Sequence, residues 1–353
     1  GAMPRAAWRL CALLAPAAAL RSPLLFEHVN LNVPEGEAAR AFYVDVLGGR
    51  LNPYAILDRQ VHVNVGLSQF HILFKKFTFK GDDPVTVPQR WNGAIGLRTV
   101  EDLDALAARV RAAGHPVDRV QSRGEDALDM RDPWGNRLLV AAARPADVET
   151  VAAHKGHPGG TGSLVAMDTI WVRCPPGAAE RIADFYRSVL GVDASAADGR
   201  AEVVFRLPDP APVQTLVFEE SPDAGPADAY DHDEAAAVHL AMYLPDRPAL
   251  EAAYSAADAR GAVYVNPRFT GGPLAFGSAA TLEDALDCGQ FRVKDLTGPD
   301  GVLALVLEHE VRAPHHKSSP LVLTKEAVAA TVAGKGAAQA SDPVAPADCE
   351  ATQ

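Results

Sequence analysis

The chain has 353 residues, of which 48% are hydrophobic and 22% charged, so it can bury at least one core and is typical of an ordinary globular protein. Its net charge of −12 repels phosphate backbones, and no Lys/Arg cluster is interleaved with aromatic residues, which argues against nucleic acid as a partner. The four cysteines are far apart and match neither a disulfide framework nor a Cys-x-x-Cys motif, so we interpret them as free thiols.

Residues 1–23 are interpreted apart from the fold. The initial Gly1-Ala2 is typical of a protease-cleavage scar. Arg5 and Arg9 then precede a short apolar run without acidic residues, the pattern of a targeting peptide, and the alternative is an Ala-rich helix on the first domain. The run is shorter than the roughly 20 apolar residues that cross a bilayer. A soluble protein without a membrane partner is expected, in the cytoplasm or, if this segment is a targeting peptide, in an organelle.

A helix-end motif then occurs twice along the chain. Its copies are AFYVDVLG at 41–48 and DFYRSVLG at 184–191. Each copy follows an apolar, strand-like stretch and closes with a glycine, the residue that commonly ends helices. A whole supersecondary unit has therefore been duplicated.

Four units of this kind are predicted. Their helices run near 35–47, 101–113, 177–190 and 246–260, and a glycine follows each. Between them lie alternating runs such as Val61–Val65 and Gln69–Phe74, which have the period of two of a half-buried strand. Each unit is predicted to be βαβββ, and only the first and third carry the Phe-Tyr pair.

Pairs of units give two predicted domains, at 24–143 and 164–314. The stretch at 144–163 contains Pro, Gly and His and is predicted to be the linker. The tail at 315–353 is rich in Ala, Ser and Pro and is expected to be flexible.

Three motifs together resemble the vicinal oxygen chelate superfamily, which includes glyoxalase I, extradiol dioxygenases and bleomycin-resistance proteins. They are the first strand Phe26–Val33, the Phe-Tyr-x-x-x-Leu-Gly helix end and the turn DPWGN at 132–136. The resemblance covers Leu24 to about Arg312. It implies an α+β fold in which four βαβββ modules pair into two domains with curved, groove-forming mixed sheets. It does not fix the activity, because this fold hosts many chemistries.

One face of the first strands is polar. On the first strand His28 alternates with Val29, and two later strands repeat the pattern. Burying an unpaired polar group costs about 1–3 kcal/mol, so this face is expected to line a groove. The predicted substrate-binding residues on it are Asn30, His62, Asn64 and Gln69.

Arg98 is the fifth predicted substrate-binding residue. It shares a strand face with the small residues Ala94 and Gly96, where it could hold a substrate carboxylate through two hydrogen bonds. The alternative is a solvated arginine on an exposed edge. The sequence carries no phosphate loop, nucleophile elbow or Cys/His pair, so covalent catalysis is not indicated.

The superfamily places metal ligands on the first and last strands of paired units. The resemblance therefore implies His28 and His71 as ligands in the first domain, and imidazole suits divalent transition metals. The second unit departs from the pattern, since Ala94 and Leu139 stand where His and Glu are usual. Two ligands rarely hold a metal tightly, and both histidines are equally well explained as hydrogen-bonded groove residues.

In the second domain the same resemblance implies Asp168 and His239 as ligands. The turn spacing aligns Leu305 with the expected glutamate, and a slip of a few residues brings in Glu308 or Glu310. With Glu308, these residues would form a facial triad like the iron site of extradiol dioxygenases with one His replaced. The alternatives are a salt-bridged aspartate, a core histidine and a solvated strand end.

The predicted function is that of a small-molecule enzyme of glyoxalase or dioxygenase type. A divalent metal, one of Fe, Mn, Zn, Ni or Co, would chelate vicinal oxygens of the substrate and act as a Lewis acid. The alternative is a metal-free binding or sequestering protein of bleomycin-resistance type. A third interpretation makes one domain purely structural, supporting the other or a homodimer.

Overall fold

The computed structural model describes residues 22–53, 59–78, 81–207, 213–226, 239–269 and 277–322. The predicted targeting peptide and the tail beyond residue 322 lie outside these residues. None of the described helices combines the length and the hydropathy of a membrane span.

The first two units follow the predicted order of a strand, a helix and three strands. The first consists of β1 Leu25–Asn32, α1 Gly36–Arg40 continued by a π-helix Ala41–Val46, β2 Arg50–Leu51, β3 Gln60–Val65 and β4 Ser68–Leu73. A hairpin of β5 Lys75–Thr78 and β6 Gly81–Pro84 connects it to the second unit. That unit consists of β7 Gly93–Thr99, α2 Leu103–Ala112, β8 Val117–Ser122, β9 Glu125–Arg131 and β10 Arg137–Ala142.

The second half repeats this order after a helix, α3 Pro145–Ala153, that lies in the predicted linker. The third unit consists of β11 Leu164–Cys174, α4 Ala179–Ser188, β12 Ala194–Ala197, β13 Arg200–Phe205 and β14 Gln214–Glu220. The fourth consists of β15 His239–Tyr243, α5 Arg247–Ala259, a 3-10 turn Pro267–Phe269, α6 Leu282–Cys288, β16 Gln290–Thr297 and β17 Leu303–Arg312. In its described residues this unit has three strands.

The strands of the four units form two curved, open mixed sheets. The 7-stranded sheet has the order β16-β17-β15-β1-β4-β3-β2, and the 8-stranded sheet has the order β12-β13-β14-β11-β7-β10-β9-β8. The first strands of two units meet antiparallel at each sheet centre, β1 against β15 and β11 against β7. The α+β fold with paired units is therefore as predicted.

The pairing of units differs from the one assumed for the two domains. The first unit shares a sheet with the fourth, and the second shares a sheet with the third. All four units present similar first strands, so their sequences alone do not select the partner. The boundaries 24–143 and 164–314 remain a prediction, but each sheet joins strands from both sides of the linker.

The Phe-Tyr pairs lie in the core, as predicted. Phe42, Tyr43, Phe185 and Tyr186 are each buried. The Tyr43 hydroxyl donates a hydrogen bond of 2.8 Å to Asp132 Oδ2, in the turn between β9 and β10. This hydrogen bond links the first unit to the second, although the two units lie in different sheets.

The segment after α3 covers the 7-stranded sheet. Asn64 Nδ2, on β3, donates to the carbonyl oxygens of Pro158 at 2.9 Å and Gly160 at 2.7 Å. The backbone N–H of Lys155 donates to the carbonyl oxygen of Val322 at 2.6 Å, so the chain after β17 joins the same layer. We call residues 155–162 and 313–322 together the cover.

Candidate metal centre and adjoining cavity

Three potential metal ligands converge in the middle of the 7-stranded sheet. His28 lies on β1, His239 on β15 and Glu310 on β17, which are neighbouring strands. The two histidine Nε2 atoms are 3.1 Å apart. The Glu310 carboxylate lies 3.3 Å from His239 Nε2 and 3.8 Å from His28 Nε2. All three side chains are buried, and we call them the triad.

Glu27 fixes the tautomer of His28. Its Oε2 lies 2.6 Å from His28 Nδ1. A carboxylate only accepts hydrogen bonds, so Nδ1 carries the hydrogen and the lone pair of Nε2 faces the other two members of the triad. Burial lowers the pKa of His28 despite the attraction of Glu27, which keeps the imidazole in the neutral form that binds metals.

A register shift in β1 brings Glu27 to the same side as His28. Consecutive residues of a regular strand point to opposite faces. The pairing of β1 with β15 shifts between Phe26 and His28, and such a bulge redirects a side chain. Burial would raise the pKa of Glu27, but attraction to His28 and Arg312 lowers it to about 2. Glu27 is therefore a buried anion behind the triad.

Two buried arginines hold the triad carboxylate. Glu310 accepts hydrogen bonds from Arg292 and Arg312, one through each oxygen. These guanidinium groups hold the pKa of Glu310 well below its usual value, although burial would raise it. Arg312 also donates to Glu27 Oε2 at 2.7 Å, and Arg292 donates to Glu308. The three carboxylates and two guanidinium groups leave this cluster with one formal negative charge.

A stack of three imidazole rings leads away from the triad. The ring centroid of His71 lies 3.7 Å from that of His28 and 3.7 Å from that of His62, with interplanar angles of 19° and 3°. His28 and His62 must therefore lie on opposite faces of His71. Burial, together with the neighbouring His28, lowers the pKa of His62 to about 3 and that of His71 well below its usual value. All three rings are neutral at physiological pH.

A cavity of about 340 Å³ adjoins this stack, between the 7-stranded sheet and the cover. The sheet contributes Glu27, Asn52, Gln60, His62, Gln69, His71 and Arg312, and the cover contributes Lys155, Gly156, His157, Pro158, Lys317, Ser318 and Ser319. His157 Nε2 lies 3.0 Å from the carbonyl oxygen of Leu67 and 3.4 Å from Glu27 Oε1. This histidine therefore links the cover to the carboxylate behind the triad.

The corresponding face of the 8-stranded sheet is closed by an ion pair. Arg98 Nε, on β7, donates to Asp168 Oδ2 on β11 at 2.6 Å, and Arg98 Nη1 donates to Glu125 and to the carbonyl oxygen of Ala142. Only about 10 Å³ of space remains there. A Cβ atom on Gly96 would lie 2.8 Å from Asp168 Oδ1, so even a methyl group lacks room.

The predicted ligands come together only in part as grouped from the sequence. His28 and His71, the pair predicted in the first domain, lie together beside Glu27, with their ring centroids 3.7 Å apart. His28 and His239 meet in one sheet, although they were assigned to different domains. Asp168 lies in the other sheet, bonded to Arg98, because its strand pairs with β7 rather than with β15. The triad Asp168, His239 and Glu308 is therefore not formed.

Two further predicted ligands have other partners. The Glu308 carboxylate accepts hydrogen bonds from Arg292 and, at 3.0 Å, from Asn266, so Glu310 stands nearest His239 instead. His71 Nε2 lies 2.8 Å from Gln69 Oε1, and its ring stacks beside the triad.

Only some of the predicted substrate-binding residues line the cavity. His62 and Gln69 line the cavity. Asn64 instead holds the cover, and Asn30 donates to Asn32 Oδ1 at 3.2 Å. Arg98 binds carboxylates of the protein itself, and its role as a substrate anchor stays a prediction.

Sequence reasoning missed Glu27, Arg292, Arg312 and the cover residues Lys155, His157 and Lys317. The alternation of β1 placed Glu27 on the apolar face, and only the bulge reverses this. The sequence did contain one sign of a buried charge cluster: Arg292 and Arg312 lie before and after the strand segment Glu308-His309-Glu310. Charged side chains are rarely buried without partners, so opposite charges on neighbouring strands indicate buried ion pairs.

The chain resembles known proteins in both sequence and fold. Residues 28–141 match the family model of a glyoxalase-like domain. No curated protein matches the chain at the level of sequence. The matched residues comprise the first and second units, which lie in different sheets here.

Three solved structures illustrate the likeness of fold. A Bacillus subtilis protein described as a candidate dioxygenase is 10% identical, with a TM-score of 0.49 over 83% of this chain and 86% of that one. Glyoxalase I from Zea mays is 13% identical, with a TM-score of 0.48 over 82% of this chain and 92% of that one. Lactoylglutathione lyase from Agrobacterium tumefaciens is 19% identical, with a TM-score of 0.27 over 34% of this chain and 95% of that one.

At these identities and TM-scores the solved structures carry no argument. The family model and the repeated motifs, however, agree on the same superfamily. Residues 28–141 match a glyoxalase-like domain, and this match agrees with the resemblance of the sequence motifs to the vicinal oxygen chelate superfamily.

Proposed function

We propose that this protein is a small-molecule enzyme of glyoxalase or dioxygenase type that holds a divalent metal ion at His28, His239 and Glu310. The observation that carries the proposal is the convergence of two imidazole nitrogens and one carboxylate within 3.1 to 3.8 Å, from three neighbouring strands. Ligand atoms this close together in a buried group make a candidate cation site.

The donor set fits a divalent transition metal. Two neutral imidazoles and one carboxylate form the facial triad of non-haem iron sites, and they also suit Mn, Co, Ni and Zn. The Glu27 carboxylate behind His28 Nδ1 supplies the second-shell partner that metal-bound histidines nearly always have. When bound, such an ion supplies Lewis acidity to vicinal oxygens of the substrate.

The remaining side chains of the cavity have separable tasks. Glu27 orients His28 and keeps its proton on Nδ1. Gln69 bridges Asn64 and His71, which ties the cavity wall to the residue that holds the cover. The cover forms one wall of the cavity, opposite the half-buried rings of His62 and His71.

A metal-free binding protein is the second candidate, and one observation favours it. Both oxygens of Glu310 already accept hydrogen bonds from Arg292 and Arg312, so its charge is balanced by the protein. Each carboxylate oxygen has a second lone pair, which leaves it able to bind a metal as well. The two candidates therefore differ in metal content rather than in the shape of the cavity.

Elemental analysis of the full chain, purified without chelator, separates the two. We expect roughly one transition-metal ion per chain, the content of a single closed site. The variants His239→Ala and Glu310→Gln should lose it, whereas His115→Ala should retain it because His115 packs against Phe42 away from the triad. No metal in the wild-type protein, or equal metal in all variants, would overturn the metal site. Binding of a small molecule by such metal-free protein would support the second candidate.

A further inference from the structure

We infer that the substrate is a small hydrophilic anion whose carboxylate or phosphate group binds at the mouth of the cavity, between Lys155 and Lys317. The inference rests on the proposed function only in taking this cavity as the substrate site. Three independent features of the cavity carry it: the chemistry of its wall, the sign of its charge and one buried nitrogen.

The wall of the cavity contains no hydrocarbon side chain larger than proline among the described residues that line it. Amides, hydroxyls, imidazoles and charged groups form the rest. Pockets for apolar ligands are lined mainly by aliphatic and aromatic side chains, because burial of apolar area drives such binding. This wall therefore disfavours an aromatic substrate and favours one that carries several hydrogen-bonding groups.

The charged side chains that line the cavity are mostly positive, since Lys155, Lys317 and Arg312 face a single carboxylate, that of Glu27. Lys155 and Lys317 are exposed there, on the two segments of the cover. Deeper in the cavity, Arg312 and Glu27 are bonded to each other and offset each other's charge. The chain as a whole carries a charge of −12, so this excess of positive side chains is a local exception that attracts anions.

A buried nitrogen faces the cavity without a partner. His62 Nε2 has no hydrogen-bond partner among the residues that the structure describes, and it lines the cavity wall. Unpaired buried polar atoms are rare because they lose their hydrogen bonds to water. A hydroxyl or oxyanion of a substrate held at the mouth would supply the missing bond.

The volume of the cavity limits the size of this anion. About 340 Å³ lies near the lower end of ligand sites, which run from roughly 300 to 1,000 Å³. A compound of a few carbon atoms therefore fits, with one anionic end at the lysines and vicinal oxygens towards the imidazole stack.

Calorimetric titration of the full chain with four probes tests the inference. Glycerate and glycerol 3-phosphate carry the two kinds of anionic group, glycerol carries vicinal hydroxyls alone, and catechol carries vicinal oxygens on an aromatic ring. We expect at least one of the two anions to bind more than about tenfold tighter than glycerol and catechol, with an affinity that falls as salt is added. The tighter of the two anions identifies the anionic group.

Variants of the cavity residues test where the anion binds. The double variant Lys155→Met/Lys317→Met should weaken anion binding by about tenfold while leaving the melting temperature unchanged, since both side chains are exposed. The control Arg173→Met removes an exposed cation on β11 and should bind the anions as the wild type does. His62→Phe keeps an aromatic ring in the stack but removes the nitrogen, so it should also weaken anion binding.

Repeating the titration after chelator treatment separates this inference from the proposed metal site. Anion preference that persists in a protein without metal supports the inference even if the metal site fails. Binding of glycerol or catechol as tightly as the anions, no anion binding at millimolar concentration, or an unchanged double variant would each overturn the inference.

Discussion

The two sheets of this protein are built from the same kind of unit, yet one polar face is open and the other is closed. In the 7-stranded sheet, His28, His239 and Glu310 converge beside a cavity of about 340 Å³. In the 8-stranded sheet, Arg98 and Asp168 occupy neighbouring central strands and leave about 10 Å³. The same kind of unit thus forms two polar faces, and the side chains on their central strands determine how much space each face leaves.

The difference follows from the charges that meet in each groove. Arg98 and Asp168 satisfy each other, so their groove needs no ligand. In the 7-stranded sheet, two imidazoles and a carboxylate offer a set of donors that a cation would share under the proposed function. Buried ion pairs therefore occur in both sheets, but Arg98 and Asp168 fill their groove, whereas the pairs that Arg312 forms with Glu27 and Glu310 leave the adjoining cavity open.

The largest expected effect is that of Glu310→Gln. This change removes the anionic ligand, and we expect metal affinity to fall by more than about a hundredfold, because second-shell partners alone are worth about 10–100-fold. Titration against a chromogenic chelator measures the affinity. Asp168→Asn makes the same change in the other sheet and should leave metal affinity as it is. An equal loss in both variants would contradict the assignment of the open groove.

Removing the ion pair should destabilise the closed groove without affecting the metal. Arg98→Met leaves buried Asp168 with only the more distant Arg144, at 4.0 Å, as a cation, and breaking a buried pair in this way costs about 3 kcal/mol. Urea unfolding measures the loss, and Arg40→Met, which removes an exposed partner of Glu37, serves as the control. An unfolding free energy as high as that of the control would show that the pair does not hold the groove closed.

Changing Glu27, which lies behind the triad, should lower metal affinity less than changing a member of the triad. Glu27→Gln keeps an acceptor for His28 Nδ1 but removes its charge, so we expect metal affinity to fall by about 10-fold. The same chelator titration applies. Unchanged affinity would mean that Glu27 serves only the ion pair with Arg312.

The smallest expected effect is steric. Gly96→Ala places a Cβ atom 2.8 Å from Asp168 Oδ1 and 3.1 Å from the Trp171 ring, so we expect a loss of about 1 kcal/mol in unfolding free energy. Urea unfolding again measures it. No loss would indicate that this groove has room, contrary to its closure by Arg98.

The sequence predicted the units better than their assembly. Glycines after each helix and the buried Phe-Tyr pairs identified four units and the α+β fold. Strand pairing between units was not predictable, because the same hydrogen bonds form whichever first strands meet. The ligands Asp168 and His239 were therefore grouped across what proved to be two sheets.

The residues of the candidate site were also predicted only in part, because their positions depend on strand register. His28 and His239 were found from the resemblance, since each stands on the first strand of its unit. The choice between Glu308 and Glu310 depends on where β17 lies against β15, which a turn motif fixes only to within a few residues. The direction of the Glu27 side chain depends on a bulge in β1, which strand alternation does not predict. The position of the cover depends on contacts between segments about 160 residues apart in sequence.

The measurement that tests the central claim most directly is anomalous diffraction from crystals of the full chain grown with cobalt. We predict one cobalt peak per chain, between His28 Nε2, His239 Nε2 and the Glu310 carboxylate, and none beside Arg98 and Asp168. A peak in the 8-stranded sheet, or no peak at the triad while cobalt is present in the crystal, would contradict the account.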